Sequence, residues 1–163
     1  MPISIGEVVQ PFRRFEQKIA SLNASTSVDV PLGCPGRLTD VGRMSLVSAT
    51  FVGGTADALD DSNNQSIILY KVPVVAGVAG TKVPIAQLHW ATTAKTLTPS
   101  DATTQSIAGG AVTAFVAREF TITTLEADWT FNEDDVLTYA TVLTGAATIV
   151  NAVIEVDFIW GRK

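Results

Sequence analysis

From Val150 to Trp160 every second residue is apolar: Val150, Ala152, Ile154, Val156, Phe158 and Trp160. Polar residues, Asn151, Glu155 and Asp157, fall between them. A period of two with one apolar side is the pattern of a strand lying on a core. The pattern predicts a strand over 148–160. Before it, Val136 to Leu143 is rich in β-favouring residues and ends at Gly145. Phe131-Asn132-Glu133-Asp134-Asp135 carries the turn formers that open this strand pair.

Upstream, Val28, Val30 and Leu32 alternate with Ser27, Asp29 and Pro31, which predicts a short one-faced strand. Gly33-Cys34-Pro35-Gly36 reads as a turn. Met44 to Val52 predicts another strand, closed by Gly53-Gly54. Thr55 to Gln65 is polar and reads as a surface loop. Ser66 to Val75 holds Ile67, Ile68, Leu69 and Tyr70 in sequence, a strand buried on both sides, with Pro73 demoting its far end. Val78 to Thr81 reads as a turn. Ile85 to Ala94 fits a strand or a helical turn. Thr96 to Gly110, rich in Thr, Ser, Gly and Pro, reads as loop. Ala111 to Thr124 predicts a long strand, and Arg118 on its apolar side predicts a bulge or break nearby. Leu125 to Thr130 reads as a turn.

Residues 2–24 carry two readings. Phe12, Phe15, Ile19 and Leu22 fall at helical spacing, with Pro11 where a first turn tolerates it. The same segment also reads as an extended arm ending in an edge strand. Together the elements predict an all-β, antiparallel sandwich of jelly-roll type with about eight strands and an N-terminal arm or short helix. Residues 1–24 form the arm or docking segment, and residues 25–163 form the sandwich domain.

Composition narrows the role. The 163 residues suit one domain. Charged residues are 17%, against about 25% in ordinary globular proteins. Thr, which favours pleated and half-buried surfaces, is abundant. Low charge with much Thr, Val and Ala fits a β protein with surfaces meant for contact; a plain soluble β domain is the alternative. The net charge of −5 opposes nucleic-acid binding, which needs a basic face. Only residues 1–43 are net positive, by one charge. Cys34 is the sole cysteine, so no internal disulfide forms, which is compatible with a reducing cytoplasm. Met1 to Gln10 lacks a basic start and carries Glu7, so no secretory leader is expected. No apolar run reaches the length of a membrane-spanning helix.

Candidate chemistry is sparse. His89 is the only histidine, and no G-x-S-x-G motif surrounds a serine, so a Ser-His-Asp site has little support. Beside Leu88 and Trp90, His89 reads as a packed or surface residue. One Cys and one His cannot make a zinc cluster. Asp57 to Asn64 offers hard oxygen ligands of the kind calcium uses, but without the glycine and closing glutamate of an EF-hand loop, and a solvated turn is the preferred reading. Glu133-Asp134-Asp135 reads as a turn whose Asp side chains bond nearby amides. The expectation is a protein that is not an enzyme, with no metal and no cofactor. Trp90, Trp129 and Trp160 are candidates for stacking sugars in an alternative role, a carbohydrate- or receptor-binding β-sandwich of a virion, although Trp160 falls on the apolar side of its strand.

Arg13, Arg14 and Lys18, flanked by Phe12 and Phe15, make a small basic and aromatic patch. It reads as a docking segment for an acidic partner surface or as an amphipathic edge of the domain. Phe12, Arg13, Arg14, Phe15, Lys18 and Ile19 are the expected capsid or oligomer interface in the setting that follows.

Ala111-Val112-Thr113, Phe120-Thr121-Ile122-Thr123, Phe131 to Thr138, Gly145 and Val153 to Phe158 follow an order that resembles the jelly-roll head decoration (cement) proteins of tailed bacteriophages. The resemblance covers roughly residues 105–160, and more loosely 26–52. Here Asp134-Asp135 stands where that family often has Gly-Asp. The resemblance implies no catalytic residues. It implies a virion structural protein that binds the outer capsid surface as a homotrimer and clamps neighbouring major capsid subunits. From the charge, the absence of a spanning run and the single cysteine, assembly in the host cytoplasm with no nucleic-acid or membrane partner is expected.

Overall fold

A computed structural model of the chain describes residues 12–22, 29–36, 43–58, 62–90, 95–96, 104–105, 111–145 and 149–160. In chain order its strands are β1 (Phe12–Leu22), β2 (Val30–Gly33), β3 (Arg43–Val52), β4 (Asp57–Ala58), β5 (Asn64–Val72), β6 (Val74–Val75), β7 (Val78–Ala79) and β8 (Val83–Trp90). They continue as β9 (Lys95–Thr96), β10 (Thr104–Gln105), β11 (Ala111–Val112), β12 (Arg118–Glu119) and β13 (Thr121–Ile122). One helical turn, α1 (Glu126–Trp129), precedes β14 (Thr130–Asn132), β15 (Val136–Thr144) and β16 (Ile149–Trp160).

Two five-stranded antiparallel sheets carry the fold. The first runs β1-β16-β3-β12, with β14 also on β3; the second runs β13-β8-β5-β15-β2. Eight successive positions along the chain are filled by β1, β2, β3, β5, β8, β12 with β14, β15 and β16. The first sheet takes positions one, eight, three and six, and the second takes two, seven, four and five. Every return crosses from sheet to sheet except that from β5 to β8, which pair side by side in the second sheet; this is the jelly-roll arrangement of two Greek keys. The protein is an antiparallel β-sandwich of this type. The small pairs β4–β11, β6–β7 and β9–β10 decorate it.

Burial follows the alternation. On the first sheet Met44, Phe51, Ala152, Ile154, Val156 and Phe158 face the second sheet's Ile67, Leu69, Leu88, Trp90 and Leu137, all buried. Phe51 meets Trp90 across the sandwich with ring centres 4.9 Å apart, and Phe131 meets Phe158 edge-on at 5.2 Å.

Several local departures have local causes. In β16 the even-side burial holds from Ala152 to Phe158. At Asn151 φ is +52°, and beyond it Ile149 is buried while Val150 is only half-buried. In β3 the ladder to β16 skips Val47, which is exposed, so the inward set changes from Met44 and Leu46 to Ala49 and Phe51. The expected long strand over 111–124 is three short ones. The chain turns at Thr113 to Ala117, with Phe115 at φ +59°, and then changes sheets at Phe120: β12 pairs β3 and β13 pairs β8. The break expected near Arg118 thus falls on both sides of it. The turn expected at Val78–Thr81 lies earlier, at Ala76-Gly77, where both φ values are positive and β6 and β7 meet as a hairpin. Residues 85–90 belong to a strand, and Leu125 to Thr130 contains α1.

The helical alternative for the N-terminal segment is overturned. Residues 12–22 are a strand, paired antiparallel with β16 from Phe12↔Ile159 to Leu22↔Ile149. Side chains at 13, 15, 17 and 19 are half-buried or buried, and those at 14, 16, 18 and 20 are exposed. A strand separates the three-residue spacing of Phe12 and Phe15 onto opposite faces. The segment is therefore an integral strand of the sandwich rather than an arm apart from it.

Candidate functional site

The six expected interface residues serve the fold in different ways. Ile19 is buried in the core. Phe15 packs edge-on against Phe158, centres 5.7 Å apart. Gly33 makes room for it, since a Cβ there would collide with the Phe15 ring. Arg13 lies over the Phe15 ring at 4.7 Å and donates to the carbonyls of Cys34 (3.0 Å) and Pro35 (3.3 Å). It thereby ties β1 to the turn after β2. Phe12 belongs to β1; its side chain lies outside the described residues.

Arg14 and Lys18 are on the outer face of the first sheet. Arg14 donates twice to Asp157, at 2.7 and 2.9 Å, and stands 3.6 Å from Glu155. Ser48 donates to the same Asp157 carboxylate at 3.1 Å. The hydrogen bonds from Arg14 hold the Asp157 carboxyl below its ordinary value, opposed by partial burial and aided by Ser48. Lys18, its side chain 82% exposed, meets only Glu16 at 3.8 Å among the ion pairs of the described residues. The expected patch therefore divides: Arg13, Phe15 and Ile19 work inside the sandwich, Arg14 is engaged in an ion pair, and Lys18 is available.

Several titratable groups elsewhere among the described residues are likewise engaged. His89 is buried, with Nδ1 2.7 Å from the Ser66 hydroxyl. Asp135 brackets its turn, accepting from the Asn132 backbone N–H at 2.9 Å and from Val74 N–H at 3.1 Å. The turn reading of residues 133–135 thus holds at Asp135. Lys71, buried, donates to the carbonyls of Ala127 (2.6 Å) and Thr130 (2.8 Å) at the end of α1. Burial pushes its pKa down, against Asp135 and Asp128. Lys82 pairs with Asp29 at 2.8 Å and lies over the Tyr70 ring. Among the described residues no three His, Cys, Asp or Glu side chains gather to hold a metal. The side chains of Asp57, Asp60 and Asp61, the core of the calcium alternative, lie outside the described residues. Among the described residues no helix is long and apolar enough to cross a membrane. Trp90 is fully buried against Phe51 and offers no stacking platform; Trp129 is half-buried, and the Trp160 side chain lies outside the described residues.

Two exposed apolar features stand out that the patterning did not single out. The hairpin β6–β7 holds Val75 and Val78 75% and 70% exposed, with no charged residue from Pro73 to Thr81. Asp135 and a Gly80 N–H to Pro73 carbonyl bond of 2.7 Å fix its base. Its signal in the sequence was the Ala76-Gly77 pair between Val74-Val75 and Val78-Ala79. On the 113–117 turn, Phe115 is 80% exposed and its N–H is held by Gly53 carbonyl at 2.8 Å. A bulky residue at positive φ is a strained conformation that surrounding structure must sustain.

No known family model matches the chain, and no curated protein matches it. Among solved structures, a chain from the "Structure of infectious bursal disease virus Gt strain" aligns over 91% of this chain and 39% of its own length, at 9% identity and a TM-score of 0.17. A TM-score of that size carries no argument about fold or role.

Proposed function

We propose that the chain is a virion structural protein, a decoration or cement protein that binds the outer surface of a bacteriophage head and stabilises it. The observation that carries this reading is the uncharged hairpin at 73–81, which holds two valines out in solvent. Adjacent exposed apolar side chains free of charge are suited to a contact surface, and interfaces are depleted in charge at their centres. The major capsid protein is the partner, on the resemblance of residues 105–160 to jelly-roll decoration proteins. The jelly-roll strand order is the architecture that resemblance implies. Residues 12–22 belong to the sandwich, so any docking role for them is that of a strand of the domain, and β6–β7 supplies a further contact surface.

The test is to mix the protein with capsids of the phage that encodes it and image the particles by negative stain. Regular protrusions on the shell are expected. A Val75→Asp, Val78→Asp double variant is expected to melt at the same temperature and to leave the shell bare. Bare shells with the unaltered protein, together with specific signals on a glycan array, would replace this reading with a receptor-binding role.

A further inference from the structure

β1 ends the first sheet. Among the described residues it pairs with β16 on one side and with no strand on the other. β1 is eleven residues long, and an edge strand with no partner strand among the described residues is a template for another strand. We propose that the occupant is β1 of a second copy of this chain, antiparallel across a two-fold axis through Gln17.

The warrant is the strand's own sequence, Phe12-Arg-Arg-Phe-Glu-Gln-Lys-Ile-Ala-Ser-Leu22. Paired antiparallel with itself over its full length, it has Gln17 at its centre. Glu16 then stands opposite Lys18, and Lys18 opposite Glu16. Phe15 stands opposite Ile19, and Phe12 opposite Leu22 as register positions. Arg14 and Arg13 face Ala20 and Ser21. No like charges oppose one another, and apolar residues meet apolar residues. Directly opposed side chains in an antiparallel pair are near neighbours, so both matches are felt.

The neighbouring two-fold registers fail this test. Centring on Glu16 sets Glu16 against Glu16 and Arg14 against Lys18. Centring on Lys18 sets Lys18 against Lys18. Centring on Phe15 leaves only residues 12–18 paired.

The structure puts each group on the face the pairing needs. Phe15 and Ile19 point into the sandwich, so the seam would continue the core from copy to copy. Glu16 and Lys18 point outward, and their own contact at 3.8 Å, with the side chains 47% and 82% exposed, leaves both free to reach a partner. In the single chain Gln17 Nε2 donates to the Lys18 carbonyl at 2.8 Å, a side-chain stand-in on this otherwise one-sided strand.

A two-fold contact uses the same surface on both copies and closes on itself, so it ends at a dimer and does not grow into fibres. The assembly is then a dimer, where the family resemblance implies a trimer. This inference stands apart from the capsid reading, since it needs no partner but the chain itself.

Light scattering on the full chain after size exclusion is expected to give a dimer. Lys18→Glu alone and Glu16→Lys alone are each expected to weaken it at least tenfold, with no change in monomer melting. The double swap carrying Glu16→Lys and Lys18→Glu restores the matches and is expected to restore the dimer. Mixing the two single variants sets lysines against glutamates throughout and is expected to give a heterodimer. In a Cys34→Ser background, Gln17→Cys is expected to form an intermolecular disulfide under mild oxidation, because the two copies of that position face each other. A monomer at all concentrations, a trimer, or a dimer indifferent to both charge variants and uncrosslinked at position 17 would overturn the proposal.

Discussion

β16 and β1 lie side by side in one sheet, yet their surroundings differ. β16 has a neighbour on each side, β1 and β3, and its inward residues Ala152, Ile154, Val156 and Phe158 are buried beneath the second sheet. Among the described residues β1 has one neighbouring strand, and of its inward set Ile19 is buried while Arg13, Phe15 and Gln17 are half-buried. A central strand must satisfy the core along its length, so its side chains are held to one strict pattern. An edge strand can place Arg13 inward, because the guanidinium reaches past the sheet margin to the Cys34 and Pro35 carbonyls. Tolerance for polar inward residues is a property of the position, and it leaves β1 able both to complete the fold and to accept a neighbour.

The contrast can be broken by substitution. Phe158→Ala removes a fully buried ring that touches both Phe15 and Phe131, and is expected to cost about 3–5 kcal/mol in denaturant unfolding. Phe15→Ala, on the edge strand, is expected to cost less, roughly 2 kcal/mol, because the ring is only partly buried. If the two losses were equal, the distinction between central and edge strand would fail. A smaller effect comes from the ion pair that joins the strands on their outer face. Asp157 has a folded-state pKa below its unfolded value, so its contribution is present above the ordinary carboxylate range and is lost as pH falls through the lowered folded value. Thermal melts from pH 7 downward are expected to show Tm falling in the acid range. Arg14→Met is expected to flatten that dependence while changing the neutral Tm little, since the pair is solvent-screened.

The central strand was legible because burial on one face writes period two into the sequence, and β16 shows it from Ala152 to Phe158. The bracket at Asp135 was legible for a local reason: its partner Asn132 is three residues away. β1 was not, because Phe12, Phe15, Ile19 and Leu22 sit at intervals a helix would also give, and its polar inward residues erase the alternation. Arg118 signalled an interruption but not its kind, since crossing between sheets at Phe120 depends on β3 and β8, both distant in sequence. The basic patch was legible as residues and not as a surface: partners for Arg13 and Arg14 come from positions 34, 35 and 157. The hairpin at 73–81 was hidden by its composition, since an apolar run is ordinarily a buried one.

The central claim is that β1 is a strand of the sandwich and not a separable arm. Deleting residues 2–22 and following thermal unfolding by circular dichroism tests it most directly. The account predicts loss of a cooperative transition, because Ile149 to Ile159 would lose its ladder on one side and Phe158 its Phe15 contact. A truncated protein that melts cooperatively near the temperature of the full chain would contradict it.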